Sequence, residues 1–545
     1  GTFHDCAAIY NTDSIAKMYP NDVILVRQHY SQIYPCYFAK YEKVWSDKYT
    51  DSMAISPTSF LKRYTGILYI PSALLDRRKF NGSYPYPRQF YNYINDVLKE
   101  KPKASVALNW SFDEETRKLN AKIFAFMQET VNKPLRFNVY VVEDSVIGHG
   151  LGWDQFNGIS GDSSWLPNPY VFEPDTIKNF VHRHVVRKML GGPFGVKGDI
   201  TMPVPKNEVI THNFQCKIDE DWDIDKISLV GVLQVSDYEI YDQSPKTAGN
   251  NDLEILNCIR GTKMKIGFSV SKDFENDLIC EPNKEYRKDF MIKNTSSEDK
   301  EIEVEISKSD RTPENWTIEL DSDQGFVIPA GESTSIELLI ELNNTVDIGD
   351  VNIVFSDRNN SDIEWTEPIT IYSNEIKYFN VTDEFCFKGF SLSPLLSEIN
   401  RNDIFEVTSD FYLNNWDKFP HHKLLIWNVG QMIGFIDSLE LEQIIKINQQ
   451  KDVNLFICGY RGNIENIEHY KRCDFLGIEH LGWKQSGTGE IVLKGVKEDP
   501  ISGDLGDENY LKDDTITKSI FKIVDNEVTK SVLHSAEEIP CKKGD

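Results

Sequence analysis

Apolar and polar residues alternate over 104–110, 118–126 and 135–142, a period of two that sends one set of side chains to a core and the other outward, as in consecutive strands. Residues 207–217 and 227–237 repeat the pattern, so 104–258 is expected to form an antiparallel β-sandwich. A long loop from Gly148 to Pro174, rich in Gly, Trp, Pro and Asn, interrupts it, and loops of that length usually carry function or form an interface. Upstream the period is helical. Ala8, Ile9, Ile15 and Met18 mark a helix over 7–19, residues 59–64 a short one, and Phe90, Tyr91, Ile94, Val97 and Leu98 a helix over 87–100 opened by Pro87. Between them, Asp22-Val23-Ile24-Leu25-Val26 reads as an inner parallel strand, and 69–77 as a strand entered through Ile70-Pro71, a proline that can be cis.

Alternation resumes at 284–295, 301–306, 316–320 and 335–342, with a turn over 327–332, which predicts a second all-β unit. From Glu375 strands (377–381, 423–429, 453–459) alternate with helices (392–399, 438–449), the pattern of a doubly wound parallel sheet. The 545 residues therefore divide into four expected units: 1–102, 103–268, 269–374 and 375–545.

A formal net charge of -26 repels phosphate backbones and argues against nucleic acid as a partner. No apolar run is long enough to span a bilayer and no signal peptide opens the chain, so the sequence reads as a mature, secreted or surface-exposed form. Its 9 cysteines include no C-x-x-C pair, which leaves a zinc ribbon or a redox dithiol unsupported.

Several stretches resemble known families. The cysteine before a helix, the apolar run at 22–26 and the Ile-Pro step suggest a thioredoxin-type layout. The opening Gly1-Thr2-Phe3-His4-Asp5-Cys6-Ala7, the stretch Tyr69 to Arg77, Val141-Val142-Glu143-Asp144 and Phe180-Val181-His182-Arg183-His184-Val185-Val186-Arg187 are similar to signatures of the twenty-eight-kilodalton outer membrane protein relatives. Those are secreted thioredoxin-like proteins of Gram-negative bacteria that use type IX secretion. The likeness covers roughly the first half of the chain, to about Cys258, and departs from the family's pattern at the dithiol. Aligned on Gly1, His4 and Ala7 replace both cysteines; aligned on Cys6, Phe3 replaces the first. Residues 269–373 resemble bacterial immunoglobulin-like spacer modules. Phe475-Leu476-Gly477 and Gly495 to Ser502 resemble steps of flavodoxin-like, class-I-amidotransferase-like domains. The implied fold is a degenerate thioredoxin-like domain, a β-sandwich, an immunoglobulin-like β-sandwich and a doubly wound flavodoxin-like domain. In a thioredoxin fold Pro71 would face the redox position, and the strand entering the cysteine turn would lie upstream of Gly1, so either earlier residues or a strand from another chain is expected to complete the sheet.

Candidate chemistry is sparse. Cys6 lacks a second cysteine to resolve a mixed disulfide, although its place at a helix start could lower its pKa; a Cys6–Cys36 bridge and two free thiols are both open. Cys458 follows an apolar strand, where amidotransferases carry a nucleophile, but the glycine two residues earlier and a His-x-Glu are missing. His182 and His184 would point the same way if extended, offering two imidazoles to a metal without an evident third ligand, and would diverge in a helix. Acidic clusters at 219–225 and around Asp321 and Asp323 are solvated charge by default and could hold calcium; no other cofactor is expected. Trp153, Phe156, Trp165 and Tyr170 in the long loop are costly to leave in water and point to an interface. The sequence thus predicts a non-catalytic surface protein that binds other proteins or copies of itself. Thiol-disulfide exchange at Cys6 and a hydrolase at Cys458 are the rival readings.

Overall fold

The computed structural model describes residues 5–29, 51–65, 67, 72–80, 84, 89–150, 152–198, 200–236, 253–321, 325–382, 404–428 and 447, together with strand backbones at 454–458, 478–485, 489–495, 509–513, 517–523 and 533–535. Pro71, Cys36, Asp323 and the helix expected over 392–399 lie outside these residues, as does that over 438–449 apart from Ile447.

Ten strands lie in and around the first sandwich: β1 (Ala104–Phe112), β2 (Lys118–Met127), β3 (Leu135–Glu143), β4 (Gln155–Phe156), β5 (Thr176–Ile177), β6 (Val185–Met189), β7 (Val209–Lys217), β8 (Ile227–Val235), β9 (Ile255–Arg260) and β10 (Thr262–Lys263). One sheet runs β10-β1-β2-β7 and the other β6-β3-β8-β9, with β4 and β5 forming a separate short ladder in the long loop. Alternation fixes which side chains meet between the sheets: Leu119, Ile123 and Met127 from β2 face Leu135, Phe137, Val139 and Val141 from β3 and Leu229 and Leu233 from β8.

The second sheet is also covered on its outer face, where Tyr140, Val142, Val186, Val230 and Val232 pack against Leu61 of helix α2 (Ser56–Thr65; α1 is Asp5–Met18) and against Ile24 and Val26. Here the structure corrects the expected strand over 22–26. Ile24 and Val26 are spent on covering this face, Val23 packs with Ile15, Phe90 and Ile94, and Arg27 pairs, in parallel, with Val185 of β6. The described part of 69–77 is likewise a turn. Asp76 and Arg77 have φ of 49° and 52°, and this left-handed step buries the Arg77 guanidinium, which donates to Gln234 Oε1 at 3.1 Å and to the Tyr140 hydroxyl. Helix α3 (Phe90–Val97) packs Phe90 and Ile94 on Ile15 of α1. Among the described residues of 1–102 there are helices and turns but no strand, so a thioredoxin sheet does not follow from them.

The second sandwich comprises β11 (Phe268–Lys272), β12 (Asp277–Cys280), β13 (Tyr286–Asn294), β14 (Lys300–Lys308), β15 (Thr317–Leu320), β16 (Phe326–Ile328), β17 (Ser333–Glu341), β18 (Ile348–Asp357) and β19 (Asn360–Ser373), in sheets β11-β13-β17-β15 and β12-β19-β18-β14-β16. Phe290, Phe355 and Trp365 fill its core. It meets the first sandwich through a polar seam. Glu367, 0% exposed, accepts from Trp365 Nε1 at 2.8 Å, pairs with Lys118 Nζ at 2.9 Å and lies 3.6 Å from Lys272 Nζ, while Lys122 pairs with Glu364.

Beyond it, β20 (Tyr378–Thr382), β21 (Ile404–Thr408), β22 (Leu424–Asn428) and β23 (Asn454–Cys458) form an all-parallel sheet in the order β21-β20-β22-β23, with α4 (Ser409–Asn415) following β21. The remaining strands are antiparallel: β24 (Ile478–Gln485) pairs with β27 (Thr517–Ile523), and β25 (Gly489–Gly495) lies between β26 (Asn509–Asp513) and β28 (Leu533–Ser535). That addition departs from the expectation of one alternating α/β unit to the end of the chain. None of the described helices is long and apolar enough to cross a membrane.

Candidate functional site

The long loop is held by its own backbone. Asn157, 1% exposed, donates through Nδ2 to the carbonyls of Tyr170, Glu173 and Pro174 at 2.8, 3.2 and 3.1 Å, tying its two limbs together beside the β4–β5 ladder. Asp162 and Asn168 cap two short 3-10 turns by accepting from the backbone N–H groups of Ser164 and Tyr170. Gly148 admits the Trp153 ring against the chain: a Cβ there would fall 2.0 Å from Trp153 Cδ2.

On one side the loop receives helix α1. Cys6 is buried in its first turn, with Sγ directed at the Phe156 carbonyl at 3.6 Å, and it packs with Ala7, Ile159 and Val171 under Trp165 and Tyr170. Two of the aromatic positions marked in the sequence, Trp165 and Tyr170, thus close over the marked cysteine in a core that withholds its sulfur from solvent, whereas Trp153 packs with Met53, Val146 and Val185 and the Phe156 side chain is exposed. Burial also pushes up the Tyr170 hydroxyl.

On the other side lies a pair of histidines from distant parts of the chain. His29 Nδ1 meets Asp51 Oδ2 at 2.7 Å, and Asp51 Oδ1 accepts from the Met53 N–H at 2.9 Å. His182 stands edge-on to His29, ring centres 5.5 Å apart, and its Nε2 is 2.8 Å from the Trp153 carbonyl. Because a carbonyl only accepts, that nitrogen carries the proton and Nδ1 keeps the lone pair. Phe180 and Tyr170 extend this aromatic row toward the cysteine side, at 5.0 and then 6.0 Å. Burial drives the His182 pKa down to about 4, so the ring is neutral at physiological pH. Burial alone would raise the Asp51 carboxyl, but the hydrogen bond and charge of His29 and the Met53 N–H together hold it below its usual value.

The extended arrangement that would align His182 with His184 is not adopted, since His184 has φ 57°. Burial lowers the pKa of His184, whose charged neighbours are Asp144, Arg27, Asp13 and Arg260; His182 shares Arg27 with it and adds His29 and Asp51. Among the described residues no group of three or more His, Cys, Asp or Glu side chains is placed to hold a metal ion. Asp321 instead accepts from the Glu337 N–H at 3.0 Å. Cys458 ends β23, far along the chain from this region. His29, Asp51 and Asn157 escaped the sequence reading: nothing local marks a histidine and an aspartate that a fold brings together.

The outer surface of this region carries exposed apolar side chains among polar ones such as Asp162, Ser163, Glu173, Asp175 and Lys178. Of the 13 large hydrophobic side chains exposed among the described residues, Ile147, Phe156, Leu166, Phe172 and Val181 belong to this one stretch, and Phe172 is 80% exposed.

The class that emerges is a β-rich multi-module protein with an ordered, aromatic loop. Within it, residues 59–246 match the family model of outer membrane protein Omp28, about a third of the chain. That stretch contains the first sandwich's strands through β8, the whole loop and the Glu143-Asp144 and 180–187 signatures; the opening around Cys6 falls outside it. No curated protein matches the chain. Among solved structures, a FixG-related protein from Vibrio parahaemolyticus is 13% identical, with 20% of this chain and 94% of that one covered and a TM-score of 0.15. Native alpha-2-macroglobulin from E. coli is 14% identical with a TM-score of 0.19, over 50% of this chain and 17% of its own length.

Proposed function

We propose that this chain is an outer-membrane-associated surface protein that acts by binding another protein through the exposed face of residues 147–181. The observation that carries this reading is the concentration of exposed apolar side chains on a loop whose backbone is pinned by Asn157. An apolar surface already ordered loses little entropy on binding, and patches of this kind mark interaction sites. The Omp28 match supports the location. The finer module readings rest on separate features: two facing sheets at 268–373 for the immunoglobulin-like unit, the parallel order β21-β20-β22-β23 for the flavodoxin-like one, and helices α1 and α3 alone for the thioredoxin-like one.

The test places a photo-crosslinking amino acid at Phe172 in the full chain and irradiates intact cells. A discrete adduct that disappears with Leu166→Asp, on a chain open to protease added outside the cells, is expected. A chain sheltered from that protease, or one that forms no adduct, would overturn the proposal.

A further inference from the structure

We infer that the seam between the two sandwiches is a binding site for a single sugar ring. A cavity of about 120 Å³ opens there, several times the roughly 10–15 Å³ of open space that one water needs. It is therefore more than a niche for one bridging water, and smaller than the ~300 Å³ at which pockets for drug-sized ligands begin. Its polar wall is made of Asn109 and Ser111 from β1, Asn120 from β2, Asn213 from β7 and Thr366 from β19. Period-two alternation sends all four first-sandwich residues to the outer face of their sheet.

Every one of those groups is neutral. Amides and hydroxyls donate and accept, which is what a ring of hydroxyls requires of its site. The charged residues of the wall, Lys122 and Glu364, pair with each other, so the site offers no net charge to an ionic ligand. Phe124 adds an apolar surface against which the C–H face of a ring can lie.

Asn120 gives the independent sign that something enters. It is 7% exposed, it lines the cavity, and its Nδ2 is buried with no hydrogen-bond partner. Buried donors in folded proteins are nearly always satisfied; this one is closed off from the cavity where it stands, and an Asn120 side chain turned so that its amide N–H faces an occupant's hydroxyl would satisfy it. Across the cavity Asn213 Nδ2 makes only a long contact of 3.4 Å to Thr366 Oγ1, leaving both groups able to re-pair. Because the wall is drawn from both sandwiches, an occupant would also brace one against the other.

The experiment is saturation-transfer NMR on the full chain with glucose, galactose and N-acetylglucosamine as separate probes. Saturable binding of at least one, at millimolar affinity, is expected, with a loss of at least tenfold in Asn120→Leu, a substitution of similar size that removes the donor. Circular dichroism checks the fold of that variant; should it unfold, Asn109→Ala, at a half-buried position, takes its place with the same expectation. Absence of saturable binding to all three probes would overturn the inference, as would binding that the folded variant retains.

Discussion

The two outer faces of the first sandwich are sealed by opposite means. Over β3 and β8 the cover is mainly apolar: Leu61, Ile24 and Val26 close on Tyr140, Val142, Val230 and Val232, with the buried Arg77 guanidinium held between Tyr140 and Gln234. Over β2 and β7 it is polar: Lys118, Lys122 and Gln215 meet Glu364, Thr366 and Glu367. An apolar cover stabilises roughly in proportion to the area it removes from water and tolerates small shifts in register. A buried ionic seam is stable only while every member keeps its partner, so it fixes the geometry of the second sandwich more strictly than it holds it. The first kind of cover suits a platform for the loop, and the second suits a joint.

The comparison breaks most sharply at Glu367. Replacing it by Ala strands Lys272, whose side chain is 4% exposed, and Lys118 without their common carboxylate. Leaving a buried charge uncompensated costs about 3–5 kcal/mol. The expected result is much faster hydrogen exchange in β18 and β19 with the β3–β8 pair unchanged; equal loss in both would show that the seam and the platform unfold as one.

Next in size is the pH dependence of the loop. His182 titrates near 4 in the folded chain against 6.5 when free, so between these values the unfolded state binds the proton first. The neutral ring's contribution is complete above pH 6.5, falls as pH drops toward 4, and totals about 3 kcal/mol at 1.36 kcal/mol per unit. Asp51, held below its usual pKa, loses its contribution only at lower pH, as pH falls through its folded value. Exchange protection in residues 146–184 is expected to fall between pH 6.5 and 4 in the natural chain and to fall less in His182→Gln, where His184, also lowered by burial, still titrates.

Much of this arrangement was legible in the sequence. Strands β1, β2, β3, β7 and β8 follow from alternation, because one buried face imposes a period of two. The apolar outer positions of β3 and β8 also carried the clue that this sheet is covered twice. The same rule misled at 22–26, since a short apolar run that covers a sheet has the composition of a strand that lies within one. The histidine pair was beyond reach: His29, Asp51 and His182 are joined by tertiary contact alone, and no spacing encodes it. Glu367 was readable in principle, as a charge in a strand where Ile363, Trp365, Ile369 and Ile371 face the core.

Smaller is the effect expected at Asn157. Its single amide serves three carbonyls, and Asn157→Ala leaves them without that donor at a cost of about 1–3 kcal/mol. The damage is expected to stay in the loop: the Phe172 region gains protease sensitivity while thermal unfolding of the sandwiches is unchanged. Unaltered cleavage would mean that the β4–β5 ladder and the capped turns hold the loop by themselves.

The smallest effect is expected at Lys272, and it separates the two kinds of cover most finely. Burial lowers its pKa to about 8 even though Glu367 pulls the other way, so the charged form is held at a penalty. Because the folded pKa lies below the free value of 10.5, the unfolded chain binds the extra proton between pH 8 and 10.5, and this residue's contribution to stability rises with pH across that window. Replacing the ammonium by an apolar chain of similar length removes the penalty, and Glu367 still keeps Lys118 at 2.9 Å and the Trp365 indole at 2.8 Å. Exchanging a buried ionic partner for a well-packed apolar one is often neutral, or stabilising by about 1–4 kcal/mol. Lys272→Met is therefore expected to leave the second sandwich as stable as before or more so at pH 7, and to abolish the rise above pH 8. A loss comparable to that of Glu367→Ala would instead show that the ammonium is required and that the seam draws net stability from its charges.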